Sequence, residues 1–205
     1  METLPNLFSA IILTAGKSQR FGSPKACIPF NNSFSFLQKL LSVYNEAGII
    51  DFVIVTNFEL EREISETTKL YSDKLNINIK INYYPESGKF NSIRIGTFAT
   101  DNSRATFIQN IDNPFTTAGL LSQMMKAVKS NSYVVPCWEE QKGHPVLLSA
   151  EILHAIYNEK NEQANFRDVL ESFYCNKVNT NDPRILANIN TPADYMKYFK
   201  NETVN

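Results

Sequence analysis

The sequence predicts an α/β fold with a mostly parallel central sheet and helices on both of its faces. Short apolar runs of strand length alternate with amphipathic segments of helical period in the first hundred residues. Alternation of this kind gives right-handed crossovers and a parallel sheet that is covered on both sides. The chain of 205 residues, 43% of them hydrophobic, is long enough for one such domain with a substantial core.

The first half of the chain contains three predicted strands and two predicted helices in strict alternation. The strands are predicted over residues 10–13, 52–56 and 77–84, and the helices over residues 35–47 and 60–71. The first two strands are β-branched apolar runs, whereas the third alternates apolar and polar residues, as expected of a strand with one buried face. Ligands of such sheets bind at the carboxyl ends of the strands.

The second half continues with less regular spacing. Strands are predicted over residues 106–111 and 133–136, and helices over 92–100, 117–128, 149–157, 165–173 and 192–198. Residues 145–148 form a further apolar run. Thr116 or Thr117 can cap one helix, and Thr191 followed by Pro192 is typical of the start of another. The polar segment 137–144, which contains Trp138, is interpreted as a lid over a substrate.

Composition excludes several classes of protein. The chain has 20 Lys plus Arg and 21 Asp plus Glu, so its charge indicates no nucleic-acid partner. Cys27, Cys137 and Cys175 form no C-x-x-C pair, which argues against a disulfide framework and a structural zinc site. We expect no membrane span and no signal peptide, and therefore a cytoplasmic protein.

The stretch FSAIILTAGKSQRFGSPK at residues 8–25 joins a buried strand to a basic loop. Gly16 and Gly22 allow backbone N–H groups to approach an anion, and Lys17, Arg20 and Lys25 supply positive charge. The spacing matches neither the G-x-G-x-x-G fingerprint nor the P-loop. Pro24 predicts a loop that is extended up to Lys25. The pattern indicates a phosphate-binding loop, the alternative being an ordinary surface loop with solvated cations.

Three further side chains are candidates for the site. Asp112 ends a predicted strand directly before Asn-Pro and is the expected metal carboxylate. His144 is a candidate contact for an acceptor molecule, the alternative being a loop histidine without a chemical role. Ser92 can bind a ligand through its hydroxyl group or serve as the N-cap of the helix that follows.

Five segments, in this order, resemble the MobA-like nucleotidyltransferases, and most closely the molybdenum cofactor cytidylyltransferases within that family. The loop LTAGKSQRFGSPK at 13–25 is similar to L-x-x-G-x-S-x-R-x-G-x-x-K. The others are SGKFNSI at 87–93, DNP at 112–114, GHPV at 143–146 and NINTPADY at 188–195. The resemblance implies a three-layer, Rossmann-like nucleotidyltransferase fold in a single domain spanning 1–205. Residues 1–100 would mainly bind nucleotide, and residues 101–200 mainly metal and acceptor.

The implied reaction is the attack of an acceptor phosphate on the α-phosphorus of a nucleoside triphosphate, with release of pyrophosphate. Such chemistry needs alignment and charge neutralisation rather than a protein nucleophile. The catalytic residues would be Arg20, Lys25 and Asp112; Mg²⁺ would be held by Asp112 and Asn188; and His144 would contact the acceptor. The nucleotide-binding residues would be Leu13, Thr14, Ala15, Gly16, Lys17, Ser18, Gly22, Gly88 and Ser92.

The chain departs from the cytidylyltransferase pattern at Asn188 and Asn190, where that pattern has aspartates. Because Mg²⁺ usually takes only one or two protein carboxylates, Asp112 with the Asn188 carbonyl oxygen could suffice. Ala15 gives the A-A-G form of the CTP-using branch. Transfer of CMP to molybdopterin is therefore the expected reaction. Guanylyl transfer, sugar-phosphate nucleotidyl transfer and a catalytically silent nucleotide-binding protein stay open, as does a transient contact with a protein that receives the product.

Overall fold

The computed structural model describes residues 7–16, 21–161 and 164–199. Within these residues an eight-stranded sheet lies between helices on both faces, which confirms the predicted three-layer α/β fold. The strands are β1 Phe8–Leu13, β2 Asp51–Thr56, β3 Asn76–Ile81, β4 Ala105–Asn110, β5 Ser132–Trp138, β6 Gln141–Lys142, β7 Val146–Leu148 and β8 Tyr174–Asn179. The helices are α1 Phe36–Glu46, α2 Glu61–Lys69, α3 Lys89–Phe98, α4 Ala118–Ala127, α5 Ala150–Asn158, α6 Phe166–Glu171 and α7 Pro192–Phe199.

The order of the strands indicates where on the sheet a ligand is expected to bind. The order is β3-β2-β1-β4-β7-β5; β6 pairs with the end of β5, and β8 also pairs with β5. Strands β1 to β4 are parallel, whereas β7 runs antiparallel to both β4 and β5. The chain proceeds from β1 outward to β3 and then returns to the other side of β1 as β4. The order therefore reverses between β1 and β4, the position at which open α/β sheets bind ligands.

Two apolar clusters cover the two faces of the sheet. Alternate residues of β1 divide between them, because successive side chains of a strand point to opposite faces. Ala10 and Ile12 pack in the cluster that includes residues of α1, α2, α4 and α7, while Ile11 and Leu13 pack with residues of α3, α5 and α6. Ala10, Ile11 and Ile12 have no solvent exposure. The strand that leads into the glycine-containing loop is thus anchored in both halves of the core.

Several boundaries follow the local signals in the sequence. Ser35 begins α1 in a capping box with Gln38, and Gly48 follows α1 with a φ of +87°. Thr117, rather than Thr116, caps α4 by accepting a hydrogen bond from the Leu120 N–H. No helix in the described part of the chain has both the length and the apolar character that crossing a bilayer requires.

Three features of the structure differ from the sequence prediction or were absent from it. Segment 137–144 is a β-hairpin in which Cys137 pairs with Lys142, and its turn has positive φ at Glu139 and Glu140. Helix α3 begins at Lys89 instead of residue 92, so Ser92 lies inside the helix and is not its N-cap. The strand β8 was not predicted, because its sequence YCNKVN has no apolar run and most of it is exposed or half-buried.

Candidate active site

A cavity of 420 Å³ lies at the carboxyl ends of β1 and β4. Its walls are formed by Leu13, Ala15, Gly16, Lys25, Pro85, Gly88, Lys89, Ser92, Asn110, Ile111, Asp112, His144, Asn188 and Asn190. These residues come from six separate stretches of the chain. A second cavity, of 360 Å³, lies at the amino ends of the strands around Asp51 and Arg104. Only the first cavity coincides with the reversal of strand order, and it is the candidate active site.

The start of the glycine-containing loop is fixed by β2 and the residue that follows it. Both the N–H and the hydroxyl group of Thr14 donate to the Val55 carbonyl, at 2.8 and 3.1 Å. The Asn57 side chain then donates to the Ala15 carbonyl at 3.1 Å. The hydroxyl of Thr14 is therefore buried in the protein, and Thr14 does not line the cavity, whereas Ala15 and Gly16 do.

Lys25 projects into the cavity from a short 3₁₀ turn, Lys25–Cys27, that follows Pro24. Its ammonium group donates to Asn190 Oδ1 at 2.7 Å and lies 3.7 Å from Asp112 Oδ2. The side chain is only 14% exposed, so these polar partners offset much of the cost of desolvating the charge. Two predicted site residues, Lys25 and Asp112, are thereby brought together with Asn190, which is 165 positions from Lys25 in sequence.

Asn113 connects the loop after β4 to the segment that carries Asn188 and Asn190. It is fully buried, and its side-chain amide points at the carbonyl oxygens of Arg184, Ile185 and Ala187. The backbone of the preceding residue, Asp112, accepts a hydrogen bond from the Ile189 N–H at 2.8 Å. The middle residue of the D-N-P motif is therefore a structural residue that holds two loops in one arrangement.

Gln109, in strand β4, also holds the loop that follows this strand. Its side-chain amide donates to the carbonyl oxygens of Asn110 and Asn113, and its oxygen accepts a hydrogen bond from the Tyr44 hydroxyl at 3.1 Å. Both side chains are fully buried, and burial raises the pKa of Tyr44 well above its usual value. A satisfied buried network of this kind favours one loop conformation.

Asp112 has the chemistry of a metal ligand. Its Oδ2 faces Lys25, whereas its Oδ1 is buried without a hydrogen-bond partner among the described residues. A buried carboxylate oxygen that is not hydrogen-bonded is costly unless a cation or donor binds it. Over residues 7–16, 21–161 and 164–199, no three His, Cys, Asp or Glu side chains are grouped as metal ligands. The donor set suits a hard divalent ion that completes its coordination with water and substrate phosphates.

His144 is placed by the backbone on both sides of it. The N–H of Gly143 donates to the Pro136 carbonyl, and that of His144 donates to the Ile185 carbonyl at 3.0 Å. A Cβ atom at Gly143 would lie 2.7 Å from Ile185 O, so the close approach of these segments requires glycine. The imidazole Nε2 lies 3.3 Å from Asn110 Nδ2.

The imidazole of His144 is uncharged at neutral pH. Burial and the nearby charge of Lys89 lower its pKa to about 4. Because the Asn110 amide nitrogen can only donate, the contact with Nε2 corresponds to a neutral ring with its proton on Nδ1. The side chain can therefore exchange hydrogen bonds with a ligand but supplies no positive charge.

Lys89 is a cavity residue that the sequence did not single out. It is the first residue of α3, after Gly88 with a φ of +88°. The residue is open to solvent, yet the surrounding cavity desolvates its ammonium group and lowers its pKa, while the charge of Asp112 acts in the opposite direction. On the same helix, the Ser92 hydroxyl accepts a hydrogen bond from the Asn82 side chain at 2.9 Å.

Most of the predicted site residues that the structure describes meet in this cavity. They are Leu13, Ala15, Gly16, Lys25, Gly88, Ser92, Asp112, His144 and Asn188. Thr14 faces the protein interior, and Gly22, with a φ of +76°, is not part of the cavity wall. Lys17, Ser18 and Arg20 lie outside the described residues. Sequence reasoning missed Lys89, Asn110 and the contact of Asn190 with Lys25, although Asn110 directly precedes the carboxyl end of a predicted strand.

Known proteins share this fold. No curated protein matches the chain. Rv0371c from Mycobacterium tuberculosis superposes with a TM-score of 0.77 at 15% identity over 94% of this chain and 98% of its own. A second structure of Rv0371c is a complex with manganese (TM-score 0.72, 14% identity, 95% and 98% covered).

Two further solved structures are similar. A nucleotidyl transferase from Methanothermobacter thermautotrophicus has a TM-score of 0.73 at 17% identity, covering 94% and 96%. The 4-diphosphocytidyl-2C-methyl-D-erythritol synthase from Anaerococcus prevotii has a TM-score of 0.71 at 14% identity, covering 94% and 98%. At these identities the superpositions establish the fold alone. The family model of the MobA-like NTP transferase domain matches residues 10–178, and the chain therefore belongs to the MobA-like NTP transferase family.

Proposed function

We propose that this protein transfers CMP from CTP to a phosphorylated acceptor, molybdopterin or the molybdenum cofactor, and releases pyrophosphate. The observation that carries the proposal is the convergence of Lys25, Asp112 and Asn190 at the reversal of strand order. Phosphoryl-type transfer needs positioned cations and aligned substrate oxygens, and Lys25 is a cation held in position in this cavity. We place the activity in one domain spanning residues 1–205 of a cytoplasmic protein.

In this proposal the loop after β1 and Lys25 form the triphosphate half of the site. Backbone N–H groups near Gly16, together with Arg20, hold the departing β- and γ-phosphates. The Lys25 ammonium, fixed by Asn190 at 2.7 Å, stabilises the charge that develops on the α-phosphate during attack. No protein nucleophile is needed, since the acceptor phosphate is already ionised at neutral pH.

Asp112 is the proposed ligand of a divalent ion, Mg²⁺ in the cell, with Asn188 contributing an oxygen. Its buried, unpartnered Oδ1 supports this role. A bound ion would neutralise charge on the phosphate oxygens. With one carboxylate in the set, we predict weak binding of Mg²⁺ to the free protein and tight binding only with nucleotide. Calorimetric titration with and without a CTP analogue checks this, and tight binding to the free protein would contradict it.

The choice of CTP rests on Ala15, which lines the cavity beside Gly16. A methyl group at this position reduces the room for a base and favours a pyrimidine. Because one methyl group changes discrimination by only about 1 to 3 kcal/mol, the preference for CTP should be measurable but not absolute. A clear preference for GTP would overturn this choice.

A catalytically silent nucleotide-binding protein is the second candidate. The observation that favours it is the pair of amides, Asn188 and Asn190, in place of carboxylates, together with the use of Asn190 as a partner of Lys25. A protein of this kind would bind CTP without turnover.

Pyrophosphate release tests the proposal. Wild-type protein is assayed with CTP, GTP or ATP and Mg²⁺, against a panel of acceptors that includes molybdopterin and sugar phosphates. The proposal expects release that requires both CTP and molybdopterin. Pyrophosphate release with a sugar phosphate but not with molybdopterin would identify a sugar phosphate as the acceptor. Nucleotide binding without pyrophosphate release for any combination of nucleotide and acceptor would favour the catalytically silent protein.

A further inference from the structure

Lys89 is a cation in the cavity without a protein partner. No hydrogen bond or ion pair joins its ammonium group to any described residue. Lys25, by contrast, is held by Asn190 and lies 3.7 Å from Asp112. Because Lys89 is open to solvent at the cavity wall and has no partner among the described residues, its charge is available to a bound anion.

The cavity carries a net positive charge that Lys25 and Asp112 do not explain. Among its described wall residues the ionised side chains are Lys25, Lys89 and Asp112, two positive and one negative, which leaves a net charge of +1. The contact between Lys25 and Asp112 pairs one charge of each sign. The excess charge is therefore that of Lys89.

His144 does not share this charge. It lines the same cavity, and its Nε2 contacts the Asn110 amide. Burial, and to a smaller extent the charge of Lys89, lower the pKa of His144 to about 4 and keep the imidazole neutral at pH 7. An anion bound between Lys89 and His144 would thus interact with one full positive charge, on Lys89, and with a neutral ring that can form hydrogen bonds.

We propose that Lys89 is the residue that binds the attacking phosphate of the acceptor. This inference rests on the proposed function. An oxygen of the acceptor phosphate forms a bond to the α-phosphorus, the bond from that phosphorus to the bridging oxygen breaks, and pyrophosphate leaves with the electron pair. Lys89 keeps its proton throughout and offsets the repulsion between the two phosphates. The acceptor is consequently a phosphate monoester rather than a neutral alcohol.

The acceptor phosphate is favoured over the triphosphate as the ligand of Lys89 because of where the two described lysines of the cavity wall lie. Lys89 follows Gly88, a predicted nucleotide contact, and shares the cavity wall with His144, the predicted acceptor contact, so it lies where the two substrates would meet. The triphosphate half already contains Lys25 in a fixed position. Among the described residues of the cavity wall, Lys89 is therefore the cation available to a second phosphate.

The test uses inorganic phosphate as the probe and the two histidines as reporters. His144 lies in the cavity, and His154 on the exposed side of α5 serves as the internal reference. Histidine ring signals are followed by NMR during phosphate titration, with and without a CTP analogue whose α–β bridge cannot be cleaved. The proteins are wild type, Lys89→Met, Lys89→Arg and, as matched control, Lys129→Met at an exposed site.

The expected result is saturable movement of the His144 signal in wild type and an unmoved His154 signal. Lys89→Met should weaken phosphate binding at least about tenfold, the effect of losing a charge-assisted contact, while affinity for the analogue changes little. Lys89→Arg and Lys129→Met should resemble wild type.

Three results would overturn the inference. They are no phosphate binding to wild type, equal phosphate binding to wild type and Lys89→Met, or a Lys89→Met variant that loses affinity for the CTP analogue instead of for phosphate. If wild type fails to bind the analogue but Lys89→Met still loses phosphate, the anion-binding role of Lys89 stands and the proposed function falls.

Discussion

Replacing Asn113 with aspartate should loosen the contact between the loop after β4 and the segment that carries Asn188 and Asn190, which together form the proposed metal side of the site. The substitution keeps the size of the side chain and removes both amide hydrogens. These hydrogens serve three carbonyl oxygens, of Arg184, Ile185 and Ala187. The new carboxylate would face oxygens instead of donating to them, so its ionised form is disfavoured in the folded protein.

The cost can be worked out from the surrounding hydrogen bonds. The Arg184 carbonyl still accepts from the Ala187 N–H, and that of Ile185 still accepts from the His144 N–H. The Ala187 carbonyl keeps no donor among the described residues. Two lost hydrogen bonds at about 1 kcal/mol each, and one buried unpaired carbonyl at about 1 to 3 kcal/mol, predict a loss of about 3 to 5 kcal/mol in the free energy of unfolding.

The loss should depend on pH in a defined direction. Asn113→Asp introduces a carboxyl group whose pKa in the folded state is raised above the unfolded value of about 3.9. The folded state then binds more protons than the unfolded state, so the free energy of unfolding falls as pH rises from about 4 through the raised pKa. At low pH the protonated carboxyl group recovers one donor.

Urea denaturation at several pH values between 5 and 8 measures this effect. At each pH the free energy of unfolding of the variant is compared with that of wild type. Asn181→Asp, at an exposed position of the neighbouring loop, is the matched control and should change stability by less than about 0.5 kcal/mol. A loss of that small size for Asn113→Asp, or a loss that does not grow with pH, would refute the proposed role of Asn113.

Three other predictions concern the two halves of the cavity. Gly143→Ala should destabilise the protein by about 1 to 3 kcal/mol, and Ile185→Val should rescue it only in part, since the new Cβ also meets the Ile185 carbonyl oxygen; full rescue in a denaturation series would show that only the side chains conflict. Lys25→Ala should lower turnover at least about tenfold with an unchanged circular dichroism spectrum, and near-normal turnover would remove Lys25 from the mechanism. The depressed pKa of His144, about 4 against an ordinary 6.5, means that the unfolded state binds the extra proton. Stability should therefore fall as pH drops from 6.5 to 4, by up to about 3 kcal/mol; His144→Gln should flatten this slope and His154→Gln should not.

The parts of the fold that the sequence predicted are those with local causes. Apolar periodicity located strands β1 to β4, and single residues such as Ser35 and Thr117 marked the starts of helices because their side chains bond to backbone groups only three residues away. Strand β8 escaped prediction because its partner β5 lies about 40 residues away and its own residues alternate weakly. Pairing at such distance leaves little trace in a short window of sequence.

The candidate site was predictable to the same extent. Lys25, Asp112 and His144 stand in motifs, so their positions in the cavity could be expected. The contact between Lys25 and Asn190 spans 165 positions and depends on Asn113, whose role is visible only from the carbonyl oxygens around it. Lys89 carries no local signal, because a lysine after a loop glycine has the same sequence pattern whether it faces solvent or a cavity.

Transfer of the α-phosphate is the most direct test of the central claim that this cavity catalyses nucleotidyl transfer. Protein, Mg²⁺, molybdopterin and CTP labelled with ³²P at the α-position are incubated, and the products are separated. The account predicts that label moves from CTP to the acceptor with one pyrophosphate released per transfer, and that Lys25→Ala slows both equally. Labelled CTP that binds but stays intact with every acceptor, or label released only as free CMP, would contradict it.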